Sequence, residues 1–312
     1  MTWIFFALLG YFFNAFTQLL DKFILSGNRI PEPAVYAFYV ALFSLFSFFF
    51  TPFGFAWIGI PFVAVFLLSG MLFLYGTLAF YYAVKAHEVS RIAPLVGLVT
   101  SVTVIAIGSA FPQTFGEMPF SAQTLAALAL FILGGALISY DLPFRSGDRL
   151  PYTVLLSGAL LGVSLLILKY GYTQADFING LVWSRIGIFL AGLTLLLVPL
   201  YRKKILVKRG ARPLRNGRSL LTAFLFVLNK STAGTASFLI LYATALGSVS
   251  FVQALNGMQY VFLLFLSLPM SLLFPEIFKE KLSFWDWFQK AVALCLITAG
   301  FFVAGIHGLA LL

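Results

Sequence analysis

The run Asn229-Lys230-Ser231-Thr232, followed by Thr235 and Ser237, sets an amine, an amide and several hydroxyls inside an otherwise apolar stretch. Such donors suit an anion, because a carboxylate or phosphate oxygen takes charge-assisted hydrogen bonds from them. Arg185 is a second cation within an apolar stretch. Asn14 and Gln18 stand one helical turn apart, which directs their amides along one face. Gln253, Asn256 and Gln259 repeat that pattern, with Tyr260 beside the last. Asp21 and Glu88 fall at helix ends and Asp176 nearer an interface, so few acids are placed to pair with Lys230 and Arg185. A cation at membrane depth costs about 2.5–3.5 kcal/mol on insertion scales, so it faces a cavity, a partner or a substrate. Two readings of these cations are open. They bind an anionic substrate group, or they cap backbone carbonyls and snorkel toward headgroups. The amides likewise bind ligand or join helices to one another. Trp183 and Tyr81 are further candidates for the lining of a cavity.

The elements that position these residues are membrane helices. Of 312 residues, 61% are hydrophobic, 18% aromatic and only 10% charged, which leaves too little polar surface to coat a soluble globule. The mean hydropathy of +1.01 agrees. Apolar runs lie near 3–22, 34–52, 62–84, 89–111, 122–140, 152–170, 178–200, 220–243, 248–274 and 285–306. Each is long enough to cross a hydrocarbon core of about 30 Å. None shows the alternation of a barrel strand, so the expected fold is all-α with ten transmembrane helices. The first run has neither a basic segment before it nor a small-residue cleavage site after it, so it is expected to stay as a helix. The single Cys295 lies within the tenth run, which excludes a disulfide framework. His87 and His307 stand too far apart to suggest a metal site, and no cofactor is expected.

The chain also repeats itself. Tyr82 to Gly97 recurs as Tyr242 to Gly257, with Tyr, Ala, Val, Ser, Leu and Gly each in place. Phe111-Pro112-Gln113-Thr114-Phe115-Gly116-Glu117 returns as Phe274-Pro275-Glu276-Ile277-Phe278-Lys279-Glu280. Two matches in the same order indicate a duplication, with residues 1–140 and 152–312 as its halves and the polar segment 141–151 as a linker. Five is odd, so the second half enters the membrane from the opposite side and the repeat is inverted. Loops after the odd-numbered helices share one face and hold sixteen of the 20 Lys and Arg. By the positive-inside rule that face is cytoplasmic and both termini lie outside. The basic stretch 201–219 has no acid and suits anionic lipid headgroups rather than nucleic acid.

These features together resemble the EamA-type branch of the drug/metabolite transporter superfamily, over essentially the whole chain. The resemblance rests on Tyr82-Ala83 to Val89-Ser90 and Tyr242-Ala243 to Val249-Ser250 at the turn between third and fourth helices. It rests also on the Glu of Phe115-Gly116-Glu117 and Phe278-Lys279-Glu280, and on Gly134-Gly135 and Gly300 in the fifth helix of each half. It implies a ten-helix basket in the membrane of a bacterial cell, with a central cavity between two inverted halves, moving small metabolites by alternating access. Many bacterial members carry their basic residues on the terminal face, whereas here the charges put the termini outside. Val252 to Gly257 is also similar to the Gly-Ala-Leu-Asn-Lys signature of nucleotide-sugar transporters, but Gly257 stands where Lys would be.

The function expected is therefore a permease for a small organic solute, anionic or amino-acid-like, with Lys230, Arg185, Asn229, Asn14, Gln18, Gln253, Asn256 and Gln259 as its binding residues. No buried carboxylate stands clearly at the midplane to carry a proton. A non-transporting partner or lipid-handling subunit is the alternative. An enzyme is disfavoured: His87-Glu88 lacks a second His one turn on, and no Gly-x-Ser-x-Gly elbow occurs. One chain already holds both halves, which favours a monomer.

Overall fold

The computed structural model describes residues 2–26, 32–86, 89–115, 122–139, 152–206 and 216–273, with short helical pieces within 285–303. His87, Glu88, His307, the linker 141–151, the second echo at 274–280 and the core of the basic stretch, 207–215, lie outside the described residues. Every regular element described is helical. The helices are α1 (Thr2–Ser26), α2 (Pro33–Ser44), α3 (Ile60–Ala86), α4 (Val89–Ala110), the short α5 (Pro112–Phe115) and α6 (Ala122–Ser139). They continue as α7 (Tyr152–Tyr172), α8 (Phe177–Leu195), α9 (Pro199–Leu206), α10 (Asn216–Leu246), α11 (Val249–Ala254) and α12 (Asn256–Leu273). Among the described residues six stretches are long and apolar enough to cross a membrane: Thr2–Asp21, Pro33–Phe53, Ile60–Lys85, Tyr152–Tyr172, Phe177–Leu195 and Phe224–Leu246. Shorter apolar helical stretches cover Leu95–Gly108, Leu125–Leu137 and Ala291–Gly300. The chain is an all-helical, membrane-embedded protein.

Two apolar runs are broken, and a third is longer than expected. The run expected at 34–52 is α-helical only to Ser44 and continues as a 3-10 segment over Leu45–Phe53. Pro52 withholds a backbone N–H there, and Gly54, at φ 115°, turns the chain out as only glycine does readily. The run expected at 248–274 breaks at Leu255 into α11 and α12, where Asn256 and Gly257 are both poor helix formers. The Tyr11 hydroxyl donates to the Val252 carbonyl at 2.7 Å, taking up an acceptor just before the break. The first run extends past residue 22 to Ser26, so Asp21 lies more than a turn inside α1 rather than at its end.

Helices distant in sequence interlock. α3 packs on α7 and α8, while α1 packs on α10 and α12 and α4 packs on α7. Small residues allow this approach, since lipid supplies no hydrophobic force between helices and close van der Waals contact must do so. A Cβ at Gly70 would sit 1.9 Å from the Ser184 carbonyl oxygen, and one at Gly187 would sit 2.3 Å from that of Leu67. Lys169 near the end of α7 donates to the carbonyls of Thr244 at 2.9 Å and Gly247 at 2.7 Å, closing the C-terminus of α10. A cation there meets the negative end of the helix dipole as well as its unpaired carbonyls. Carbonyl capping, one of the two readings open for Lys230 and Arg185, is thus the part played by Lys169.

Replacing Gly187 by Leu drives a side chain into the α3 backbone and is expected to cost about 1–3 kcal/mol by overpacking. Unfolding in detergent should show a lowered midpoint for that variant, whereas Leu190→Ala, at an exposed position on the same helix, should stay within about 0.5 kcal/mol of wild type.

Candidate functional site

A cavity of about 770 Å³ lies among α1, α3, α4, α7, α8, α10 and α12, with α2 and the 3-10 segment along one flank. From α1, Asn14, Gln18 and Asp21 all face it, as spacings of four and three residues require. From α10 come Lys230, Ser231, Thr235 and Ser237, and from α8 comes Arg185. Asn256 and Gln259 reach it from α12, and Tyr81 from α3.

Lys230 is not left for an anion alone. Its Nζ lies 3.5 Å from Asp21 Oδ1, with only 7% of the lysine side chain and 14% of the aspartate side chain exposed. Tyr36, fully buried on α2, donates its hydroxyl to the same oxygen. Asn229 Nδ2 donates to Asp21 Oδ1 at 2.5 Å and to the Tyr36 hydroxyl at 3.1 Å. Lys230 Nζ donates to that hydroxyl at 2.9 Å and stands 4.3 Å from the centre of the Tyr36 ring. The sequence expectation that few acids could pair with Lys230 is therefore corrected for Asp21, because α1 runs on past it and turns its carboxylate inward. The face that carries Asn14 and Gln18 carries Asp21 one turn later, and that spacing was the available signal. Nothing in the sequence marks Tyr36.

Arg185 has a different setting. Its Nη2 donates to the Ser237 hydroxyl, and its backbone carbonyl accepts from Ser44 at 2.9 Å. Among the described residues no acid lies in salt-bridge range of it. At 1.5 Å per residue, Ser237 stands about 10 Å along α10 from Lys230, so the two cations occupy separate levels of the cavity.

The remaining candidates divide. Asn14 Nδ2 donates to Gln259 Oε1 at 2.7 Å, an amide pair that ties α1 to α12, and Gln259 is buried. Asn229 is fully buried and sits behind the cavity wall, holding Asp21 rather than lining the space. Gln18 Oε1 and Asn229 Oδ1 are buried with no hydrogen-bond partner among the described residues. Asn256 begins α12 at the helix break and faces the cavity. The side chain of Gln253 lies outside the described residues. Trp183 does not line the cavity. Its ring packs on Phe55 and Trp57, and its Nε1 points to the Ala56 carbonyl at 3.4 Å, beside Asn179, whose Oδ1 accepts from the Ala56 N–H at 2.8 Å.

Aromatic clusters bound the cavity along α10. At one level Phe226 meets Tyr36, Tyr39 and Phe43 edge-on, with Tyr81 against Tyr36 at 4.8 Å. At the other, Phe238 stacks on Phe50 and Tyr242 and meets Phe177 edge-on. Phe226 and Phe238 are twelve residues apart, about 18 Å along the helix. Outside the first cluster Glu32 pairs with Lys204 of α9 at 3.1 Å and with Lys85 of α3 at 3.8 Å. Part of the basic stretch thus binds the start of α2.

Compared with known proteins, the chain matches no family model and no curated sequence.

Tyr36→Phe removes the hydroxyl that joins Asp21, Asn229 and Lys230, at an expected cost of about 1–3 kcal/mol for partners left unsatisfied. Asn229→Leu should cost a similar amount, and the double variant should lose less than both losses combined, since the groups share one network. Denaturant unfolding in detergent measures all three; strictly additive losses would show that the bonds act independently.

Proposed function

We propose that this chain is a transmembrane permease for a small organic solute carrying an anionic group, working by alternating access. The observation that carries the reading is the cavity itself. Arginine, lysine, amides and hydroxyls converge from both halves of the chain on one space at membrane depth. Polar groups are expensive there and are retained where they face a binding site or a water-filled path. Arg185 bears the anion selectivity, being a cation with the Ser237 hydroxyl as its side-chain hydrogen-bond partner, the Tyr172 phenol nearby and no carboxylate in salt-bridge range among the described residues. The start of α12 at Asn256 adds its partial positive charge to the same space.

In this reading the chain has ten spans in two inverted repeats, 1–140 and 152–312, joined by 141–151, in the manner of EamA-type transporters of the drug/metabolite transporter superfamily. Helix pairing supports it. A two-fold axis in the membrane plane that exchanges α1 with α7, α3 with α10 and α4 with α11 and α12 turns the α1–α10 contact into α7–α3. It also turns α1–α12 into α7–α4, and all four contacts occur. The break between α11 and α12 beside the cavity supports it too, because carriers commonly expose helix ends at their substrate sites. In this orientation the face of Lys85 and Lys204 is cytoplasmic, and the permease acts as a monomer in a bacterial inner membrane.

The test is uptake and efflux in proteoliposomes of radiolabelled glutamate, succinate, glucose 6-phosphate and, as a neutral control, glucose. Wild type should carry at least one of the anions saturably. Arg185→Ala should lower that flux at least tenfold, with Arg185→Lys between them. Flux of glucose alone, untouched by Arg185→Ala, would refute the anion selectivity; no flux of any compound would refute the permease.

A further inference from the structure

The Asp21–Lys230 pair faces the cavity rather than hiding between helices, and this sets a competition. Lys230 has one strong anionic partner, the Asp21 carboxylate, at 3.5 Å. An anion drawn in at Arg185 that moves along α10 to the level of Lys230 meets an ammonium already held by Asp21, and two anions against one lysine repel each other. Neutralising Asp21 removes the conflict. We propose that Asp21 is a proton-binding site coupled to transport: a proton taken up by its carboxylate frees Lys230 for the substrate anion, so that proton and anion travel together. This inference rests on the permease reading and deepens it.

The surroundings of Asp21 are built for both protonation states. The ionised carboxylate accepts from Tyr36 and from Asn229 Nδ2 and pairs with Lys230. A protonated carboxyl instead has an O–H to donate, and two buried acceptors without a donor among the described residues stand on adjoining positions. Gln18 Oε1 is three residues earlier on the same face of α1, and Asn229 Oδ1 belongs to the amide that already bonds Asp21. Each is a cost while Asp21 is ionised, and the single O–H of the neutral acid is a donor for one of them. Lys230, released, keeps the Tyr36 hydroxyl and ring as its rest position. The titratable and charged groups around Asp21 are Tyr36 from α2, Lys230 from α10 and Tyr81 from α3 through its contact with Tyr36. Glu32, engaged by Lys85 and Lys204, lies one turn before Tyr36. Protons reach Asp21 through the cavity it lines. The balance is simple: the carboxylate gains one proton, the lysine keeps its charge, and one negative charge of the anion takes the place of that of Asp21 beside it.

Because the Asp21 carboxylate and the substrate anion compete for Lys230, proton and anion must each raise the affinity for the other by the same factor. The experiment uses the same proteoliposomes and the three anions named above. For wild type, an acidic exterior should accelerate anion uptake at least tenfold over symmetrical pH, and adding the anion to weakly buffered detergent-solubilised protein should draw protons from solution. Asp21→Asn mimics the protonated form. It should keep anion exchange between the two sides, lose the acceleration by the pH gradient, and take up no proton on binding. Lys230→Gln should lose both uptake and exchange. If Asp21→Asn proves misfolded, the proton uptake of wild type decides alone. Anion flux indifferent to pH, with no proton drawn from solution, overturns this inference and leaves the permease standing. Acceleration by the gradient that survives in folded Asp21→Asn overturns it as well. Absence of any flux overturns both.

Discussion

A charged side chain inside a hydrocarbon slab must be paired, hydrated or turned out of it, and the interior of this protein is arranged around that requirement. Lys169 meets it with the open carbonyls at the end of α10. Lys230 meets it with Asp21 and the Tyr36 hydroxyl. Arg185 meets it with Ser237 and the cavity. The three solutions differ in how fully the cation is used up. Backbone carbonyls occupy Lys169 permanently, whereas an aspartate beside a cavity occupies Lys230 only while the aspartate stays ionised.

The packing serves the same end. Close glycine contacts between α3 and α8 draw the two halves together, and the Asn14–Gln259 amide bond fastens α1 to α12. These contacts hold the wall on either side of the cavity, while the polar face of α10 looks into it. The aromatic clusters around Phe226 and Phe238 mark two levels of that helix. T-shaped and stacked rings can part and re-form by small rotations at little cost, each pair contributing about 0.5–1.5 kcal/mol beyond its burial. The 3-10 segment after Ser44, bonded to the Arg185 carbonyl at its start, is a second place where a helix is wound for adjustment rather than for rigidity.

Much of this was legible in the residues. Apolar runs of spanning length foretold the helices, and the polar stripe of α10, the Asn14 and Gln18 face and Arg185 all reach the cavity. What escaped is what depends on where helices end and how they cross. Asp21 looks terminal because Asp21 and Lys22 interrupt the apolar run, yet the helix continues through Phe23, Ile24 and Leu25 to Ser26. Tyr36 is one tyrosine among 13, and only the crossing of α2 with α1 and α10 gives it a role. The break at Leu255 is hidden in an apolar run, since a side-chain bond from Tyr11, 241 residues away in sequence, accompanies it. Periodicity marks faces of a helix, but the partner of a face is a tertiary fact. Trp183 shows the converse, a residue on a promising helix that packs on the 55–57 loop instead.

The central claim is that the two halves enclose a water-filled cavity rather than a dry polar seam, and thiol accessibility in the native membrane tests it most directly. In a Cys295→Ser background, single cysteines at Thr77, Ser231 and Asn256, which line the cavity, are compared with cysteines at Leu125 and Leu190 on the outer face. A membrane-impermeant thiol reagent should modify the first group and spare the second. Cavity positions that react no faster than Leu190→Cys from either side of the membrane would contradict the account.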